Sequence, residues 1–279
     1  MTASTTDPPR LARPAALLRP MVTAGALVLV LFLAPFPTAS LWSGGGYSTR
    51  AALVRSLSSG FVLFWDGGIG VVSPNLIVPV DFWMRFHVVK AILAAALVVV
   101  LARLGSRTWT AYTSATTAAR KVAAGMLAAA TAVLGMVALL ILVANLQGAI
   151  APLSSALGLL PMGTPDPALA GTVSQVRHDL ATGVGSPALA VLVHDFSAYH
   201  VAMAGIGALT TAGLLATAVF LWRRRRRLTA GRQPGRQLLA SVAVAAVAFA
   251  AFFAVVTAAN LSTSAHPAPA LLGFFEGGG

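Results

Sequence analysis

The chain has 279 residues, 57% of them hydrophobic and only 9% charged, with a formal net charge of +12 and no cysteine. So small a charged fraction excludes an ordinary soluble domain, in which about 25% of residues are charged. The missing thiols exclude disulfides, iron–sulfur clusters and thiol catalysis. The positive charge does not point to nucleic acid, because the basic residues gather at the ends of apolar runs, where they orient helices in a bilayer. The expected partner of most of the surface is lipid, in line with a mean hydropathy of +0.83.

Residues 1–20 are rich in Pro and Ala, carry Arg10, Arg13 and Arg19, and are expected to be a disordered cytoplasmic N-terminus. Residues 21–40 contain an apolar run from Met21 to about Thr38, interrupted by Pro35 and Pro37. Two readings stay open for it, a first transmembrane helix or a signal segment cleaved near Thr38-Ala39-Ser40. Residues 41–80 are Gly- and Ser-rich. Their one apolar piece, Phe61 to Val80, is broken by Asp66, Gly67, Gly68, Gly70, Pro74 and Pro79, which argue against a helix and for an outer surface or re-entrant segment.

Residues 81–160 and 195–279 read as two copies of one helical hairpin. Asp81-Phe82 with His87-Val88 opens the first and Asp195-Phe196 with His200-Val201 the second; Asn145-Leu146 and Asn260-Leu261 close them, followed by Pro152 with Gly158 and by Pro267 with Gly273. The separations drift only from 114 at the Asp pair and 113 at the His pair to 115 at Asn, Pro and Gly. Four spans follow, roughly Phe86 to Leu104, Val122 to Leu146, His200 to Trp222 and Leu238 to Leu261. Each is long enough to cross about 30 Å of hydrocarbon, and isolated runs can satisfy their backbone in lipid only as helices. The expected fold is an all-α integral membrane protein: a duplicated transmembrane hairpin forming a four-helix unit, plus the N-terminal apolar helix or signal segment.

The loop at residues 161–194 has its own order. Leu169, Val173, Val176 and Leu180 recur at helical spacing opposite Ser174, Gln175, Arg177 and His178, which predicts an amphipathic helix with Asp166 as N-cap and Pro167 at its first position. Ser186-Pro187 predicts a short second helix. Fourteen of the nineteen basic residues fall on one side of the predicted spans. The positive-inside rule makes that side cytoplasmic, with the N-terminus inside, the C-terminus outside and the plasma membrane as address.

All five His residues then face outward, and Asp81, His87, Asp195, His200 and His266 become the candidate ligands for Zn2+ or Cu2+, or a proton relay. The competing reading makes Asp81 and Asp195 helix N-caps beside an aromatic belt that includes Trp83, Phe86 and Tyr199. Asn145 and Asn260, each at the end of an apolar run, are expected as structural C-caps, with interhelical hydrogen bonding as the alternative that would explain why both copies carry the residue. Lys90 is expected to snorkel to the interface or to pair with Asp195. Alanines at every fourth position, as in Ala204, Ala208, Ala212 and Ala216, predict close helix contact.

No nucleotide, haem or hydrolase motif is present, so no cofactor is specified and an enzyme is not the first expectation. The expected function is a non-enzymatic envelope protein that binds or stabilises a partner through its outer surface. The alternative is a metal-binding or ion- or proton-translocating membrane protein. Phe86-His87-Val88-Val89-Lys90-Ala91, Ala144-Asn145-Leu146-Gln147-Gly148, Asp195-Phe196 with Tyr199-His200-Val201, and the tail Pro267 to Leu272 with Phe274-Phe275-Glu276-Gly277 resemble a group of multi-pass membrane proteins of actinobacteria. The resemblance runs from about Asp81 to the end and implies a membrane address without a mechanism.

Overall fold

The computed structural model describes residues 15–44, 46–163, 166–228 and 233–277. Every regular element among them is helical: α1 Ala15–Leu33, α2 Pro35–Trp42, α3 Arg50–Asp66, α4 Pro74–Ser114, α5 Ala118–Ile150, α6 Pro152–Leu157, α7 Pro167–Thr182, α8 Pro187–Arg227, α9 Gln233–Ala265 and α10 Pro267–Phe275. Four of these, α4, α5, α8 and α9, are long and apolar enough to cross a membrane, and α1 with α2 passes the same test only as a pair bent by 58°. The protein is an all-α membrane protein.

The helices are longer than a bilayer requires. At 41 residues each, α4 and α8 extend about 60 Å, twice the hydrocarbon thickness. Their N-terminal turns leave the spans and enter a helical head, where Leu76, Phe82, Leu192 and Phe196 pack with α3, α6, α7 and α10 around fully buried Leu57, Phe61, Leu157, Leu169 and Phe275. The spans themselves are mostly uncovered, with Ile92, Met126, Leu209 and Val255 exposed. A smaller core joins α1 to the first hairpin, through Ala24 and Leu31 against Ala94, Leu97, Leu101 and Ala138. The basic residues Arg103, Arg107, Arg120 and Lys121 and the run Arg223 to Arg227 lie on the hairpin ends remote from the head.

Several expectations change here. The Phe61 to Val80 segment is not an irregular surface piece: its first part completes α3 and its last part opens α4, and only residues 67–73 are non-helical. Helix α3 buries Leu53, Leu57, Phe61 and Phe64, an apolar stripe at helical spacing. Pro79 sits inside α4 without breaking it. Having no N–H, it leaves the Asn75 carbonyl without its helical donor, and α3 crosses at that point so closely that a Cβ on Gly60 would lie 2.5 Å from the Asn75 oxygen.

Helix α7 has the cap that the sequence predicts, the Asp166 carboxylate accepting from the N–H groups of Ala168 and Leu169 at 3.0 and 3.4 Å. Its polar side is not all free, since Gln175 accepts from Trp65 Nε1 at 2.9 Å and the Arg177 guanidinium donates to the Phe275 carbonyl. The start at Ser186-Pro187 is real, with the Ser186 hydroxyl accepting from Leu189 N–H at 3.1 Å. It opens the whole of α8 and no separate short helix. Residues 15–20 are helical and so do not share the disorder expected of residues 1–20. The rest of that segment, with Arg10 and Arg13, lies outside the described residues, as does Arg232.

Candidate functional site

Within each hairpin the contact line follows a spacing of four and three. On α9 it runs Leu239, Ala243, Ala246, Ala250, Phe253, Thr257, Asn260; on α5 it runs Ala124, Ala128, Thr131, Gly135, Ala138, Leu142, Asn145, each at a separation of 115. Ala204, Gly207 and Ala218 are buried on α8, whereas Ala208, Ala212 and Ala216 are exposed. The expected every-fourth stripe therefore fails, because a four-residue step turns about 40° past one helical turn whereas alternating four and three holds one face toward a partner. Both lines end toward the head in a polar layer.

That layer is a histidine bonded to an asparagine across each hairpin. His87 Nδ1 lies 2.9 Å from Asn145 Oδ1, and His200 Nδ1 lies 2.7 Å from Asn260 Oδ1. The amide nitrogens are engaged elsewhere, donating to the Ile141 carbonyl at 2.7 Å and the Val256 carbonyl at 2.8 Å. Each asparagine thus turns only an acceptor toward its histidine, so Nδ1 of each neutral ring carries the proton and Nε2 keeps the lone pair. Neither asparagine is a C-cap: α5 continues to Ile150 and α9 to Ala265, because the side chain bonds across the hairpin and leaves the backbone ladder intact.

The two lone pairs meet different surroundings. His87 Nε2 is 3.0 Å from the Ser155 hydroxyl, which also accepts from Trp83 Nε1 at 3.1 Å. The ring is held by close packing, since a Cβ on Gly148 would lie 2.6 Å from Nε2. His200 Nε2 is buried and has no hydrogen-bond partner among the described residues. Ser155 and His200, with Tyr199, Phe196, Ala270 and Phe274, line a cavity of about 560 Å³ between α6, α8 and α10.

The carboxylates have other roles. Asp195 is no N-cap of its own helix, since α8 begins at Pro187. It accepts from the Ser154 N–H at 2.8 Å and the Ser154 hydroxyl at 2.6 Å, closing the start of α6 from across the molecule. Asp81 is likewise inside α4, 4.0 Å from Arg85 one turn on. These two do share a wall, together with His194, in a separate cavity of about 510 Å³. Lys90 lies 5.3 Å from the Phe86 ring centre, with the Asp195 carboxylate engaged by Ser154.

The five expected metal ligands are therefore not gathered. His87 and His200 are bonded to separate asparagines, Asp195 is bonded to Ser154, Asp81 is paired with Arg85, and His266 is exposed, with Nδ1 3.4 Å from the Ser262 carbonyl. No three His, Cys, Asp or Glu side chains stand together as a metal site among the described residues. What the sequence reading passed over is Ser154-Ser155. At the offset of 115 they stand against Pro269-Ala270, in tails that agree only at Pro152/Pro267, Leu157/Leu272 and Gly158/Gly273 over residues 151–160, so no local signal singles them out. Comparison of the chain with protein-family models, with curated proteins and with solved structures gives no match.

Proposed function

We propose that this is an envelope protein of the plasma membrane whose helical head binds or steadies a partner at the outer surface, the hairpins serving as its anchor. The observation that carries the reading is where the packing lies. The largest buried core belongs to the head and not to the spans, whose lateral surfaces stay apolar and exposed. A chain that needed only to sit in lipid has no use for a second, extramembrane core. The orientation rests on the basic hairpin ends, remote from the head, which the positive-inside rule assigns to the cytoplasm. On that reading the N-terminus is inside and the C-terminus outside.

The hairpins are read as an internal duplication. Matching lengths, matching contact lines and a repeated His–Asn layer support this. The N-terminal segment is read as a retained anchor, because Ala39 is fully buried in the head core and Phe36 packs edge-on against Phe82 at 5.0 Å.

Photo-crosslinking in native membranes tests the binding role. A crosslinkable residue at Ser174 or His178, both exposed on α7, is expected to capture one recurrent protein, while the same residue at the exposed Val255 of α9 captures lipid. Head positions that capture no protein above the Val255 background would remove the proposal.

A further inference from the structure

We propose that Ser155, His87 and Asn145 form a nucleophile relay that transfers the acyl group of a carboxylic ester with an apolar acyl chain. This goes beyond the binding role and uses different residues, so the result of one test does not decide the other. The geometry is the ordered chain that such chemistry requires: hydroxyl to Nε2 at 3.0 Å, and Nδ1 to an amide oxygen at 2.9 Å. A nucleophile is activated by a base within hydrogen-bond reach when a third group orients that base. Asn145 is such a group. Its own amide is fixed to the Ile141 carbonyl, so it permits only the tautomer in which His87 Nε2 can take a proton.

The second hairpin separates structural need from chemical capacity. There the same His–Asn bond stands with Ala270 at the offset of 115 from Ser155, so the pairing of two helices does not call for the serine. Ser155 is also not sealed in. It is half-buried and faces the 560 Å³ cavity whose walls include Phe196, Ala270 and Phe274. That volume falls in the range of small-molecule sites, roughly 300–1,000 Å³, and the walls suit an acyl chain. Tyr199 lines the same cavity.

The step balances without a cofactor. Ser155 Oγ bonds to the ester carbonyl carbon as its proton passes to His87 Nε2; the ester C–O bond breaks and the alkoxide leaves with that proton. Water then attacks the acyl-serine carbonyl, its proton moving through Nε2 back to Ser155 Oγ, and the carboxylic acid is released.

The absence of cysteine makes the test clean. In the full chain in detergent, a fluorophosphonate is expected to form an adduct located on Ser155 by mass spectrometry, and to lose it in His87→Gln. In Ser155→Cys, the single thiol is expected to react with iodoacetamide at pH 7 about tenfold or more faster than an ordinary thiol of pKa ~8.5, and to lose that advantage when His87→Gln is added. A thermal melt of each variant shows that the fold persists, which a purely structural serine would also allow. Either His87-dependent reactivity upholds the relay. A folded chain with no adduct on Ser155 and with ordinary reactivity of the introduced thiol overturns it.

Discussion

Ala270 stands 115 residues after Ser155 and lines the same cavity as Ser155 and His200; His87 Nε2 has the Ser155 hydroxyl as its partner, whereas His200 Nε2 has none among the described residues. Both rings present a lone pair at Nε2, but only His87 receives a hydroxyl. The substitution Ala270→Ser is therefore expected to stabilise the protein. It offers a donor to a buried acceptor at the cost of one added oxygen, and the gain of a new hydrogen bond is about 0.5–1.5 kcal/mol. A raised melting temperature in detergent, abolished when His200→Phe is combined with it, is the expected result. An unchanged melt would show that the two tails are not equivalent at this position.

The asparagines should behave as cross-hairpin partners and not as helix ends. Asn145→Ala and Asn260→Ala each leave a buried Nδ1–H without its acceptor, at about 1–3 kcal/mol. Replacing both members of a pair by leucine is expected to cost much less, since no polar group is then stranded. A double-mutant cycle on His200 and Asn260 checks this, with a coupling near 0.6 kcal/mol as the average for hydrogen bonds in a membrane protein. A C-cap would show no coupling to the histidine.

The parts of the fold governed by local rules were legible. The start of helix α7 was readable to the residue, because Asp166, Pro167 and the Leu169, Val173, Val176 stripe act within a few positions of each other. The hairpins were readable because lipid demands long apolar runs. Helix α3 escaped because Ser, Gly and Asp surround its stripe, although Leu53, Leu57, Phe61 and Phe64 keep helical spacing. The ends of α5 and α9 were misplaced for a related reason: a polar residue in an apolar run looks like a terminus when its partner is 58 or 60 residues away. The Ser155–His87 bond is longer in range still, and nothing local to either residue announces it.

Gly60 is expected to be irreplaceable by alanine. Its Cβ would lie 2.5 Å from the Asn75 oxygen, a backbone atom that cannot rotate away, so α3 must lift from α4 and loosen Phe61 and Phe64. Gly60→Ala is expected to destabilise the head by about 1–3 kcal/mol, the usual cost of overpacking, even though alanine is the better helix former. Gly171, on the exposed side of α7 with nothing within 4 Å of its Cβ position, provides the control. There Gly→Ala should be neutral or stabilising, and limited proteolysis of the head separates the two variants.

Asp81 and Asp195, matched in sequence, should differ in consequence. Asp81 is joined to Arg85 at 4.0 Å with its side chain half exposed, an arrangement worth about 0.2–0.5 kcal/mol. Asp195 receives two hydrogen bonds from Ser154, one of them from the backbone, and a bond to a charged group contributes about 1.5–3 kcal/mol. Asp195→Ala also frees the start of α6, the helix that carries Ser155 to His87. It is therefore expected to lower the melting temperature several degrees more than Asp81→Ala, and to weaken any His87-dependent reactivity at position 155. Asp81→Ala should leave that reactivity intact. Equal effects of the two substitutions would mean that α6 is held in place by its buried Leu153 and Leu157 alone, with Asp195 a bystander.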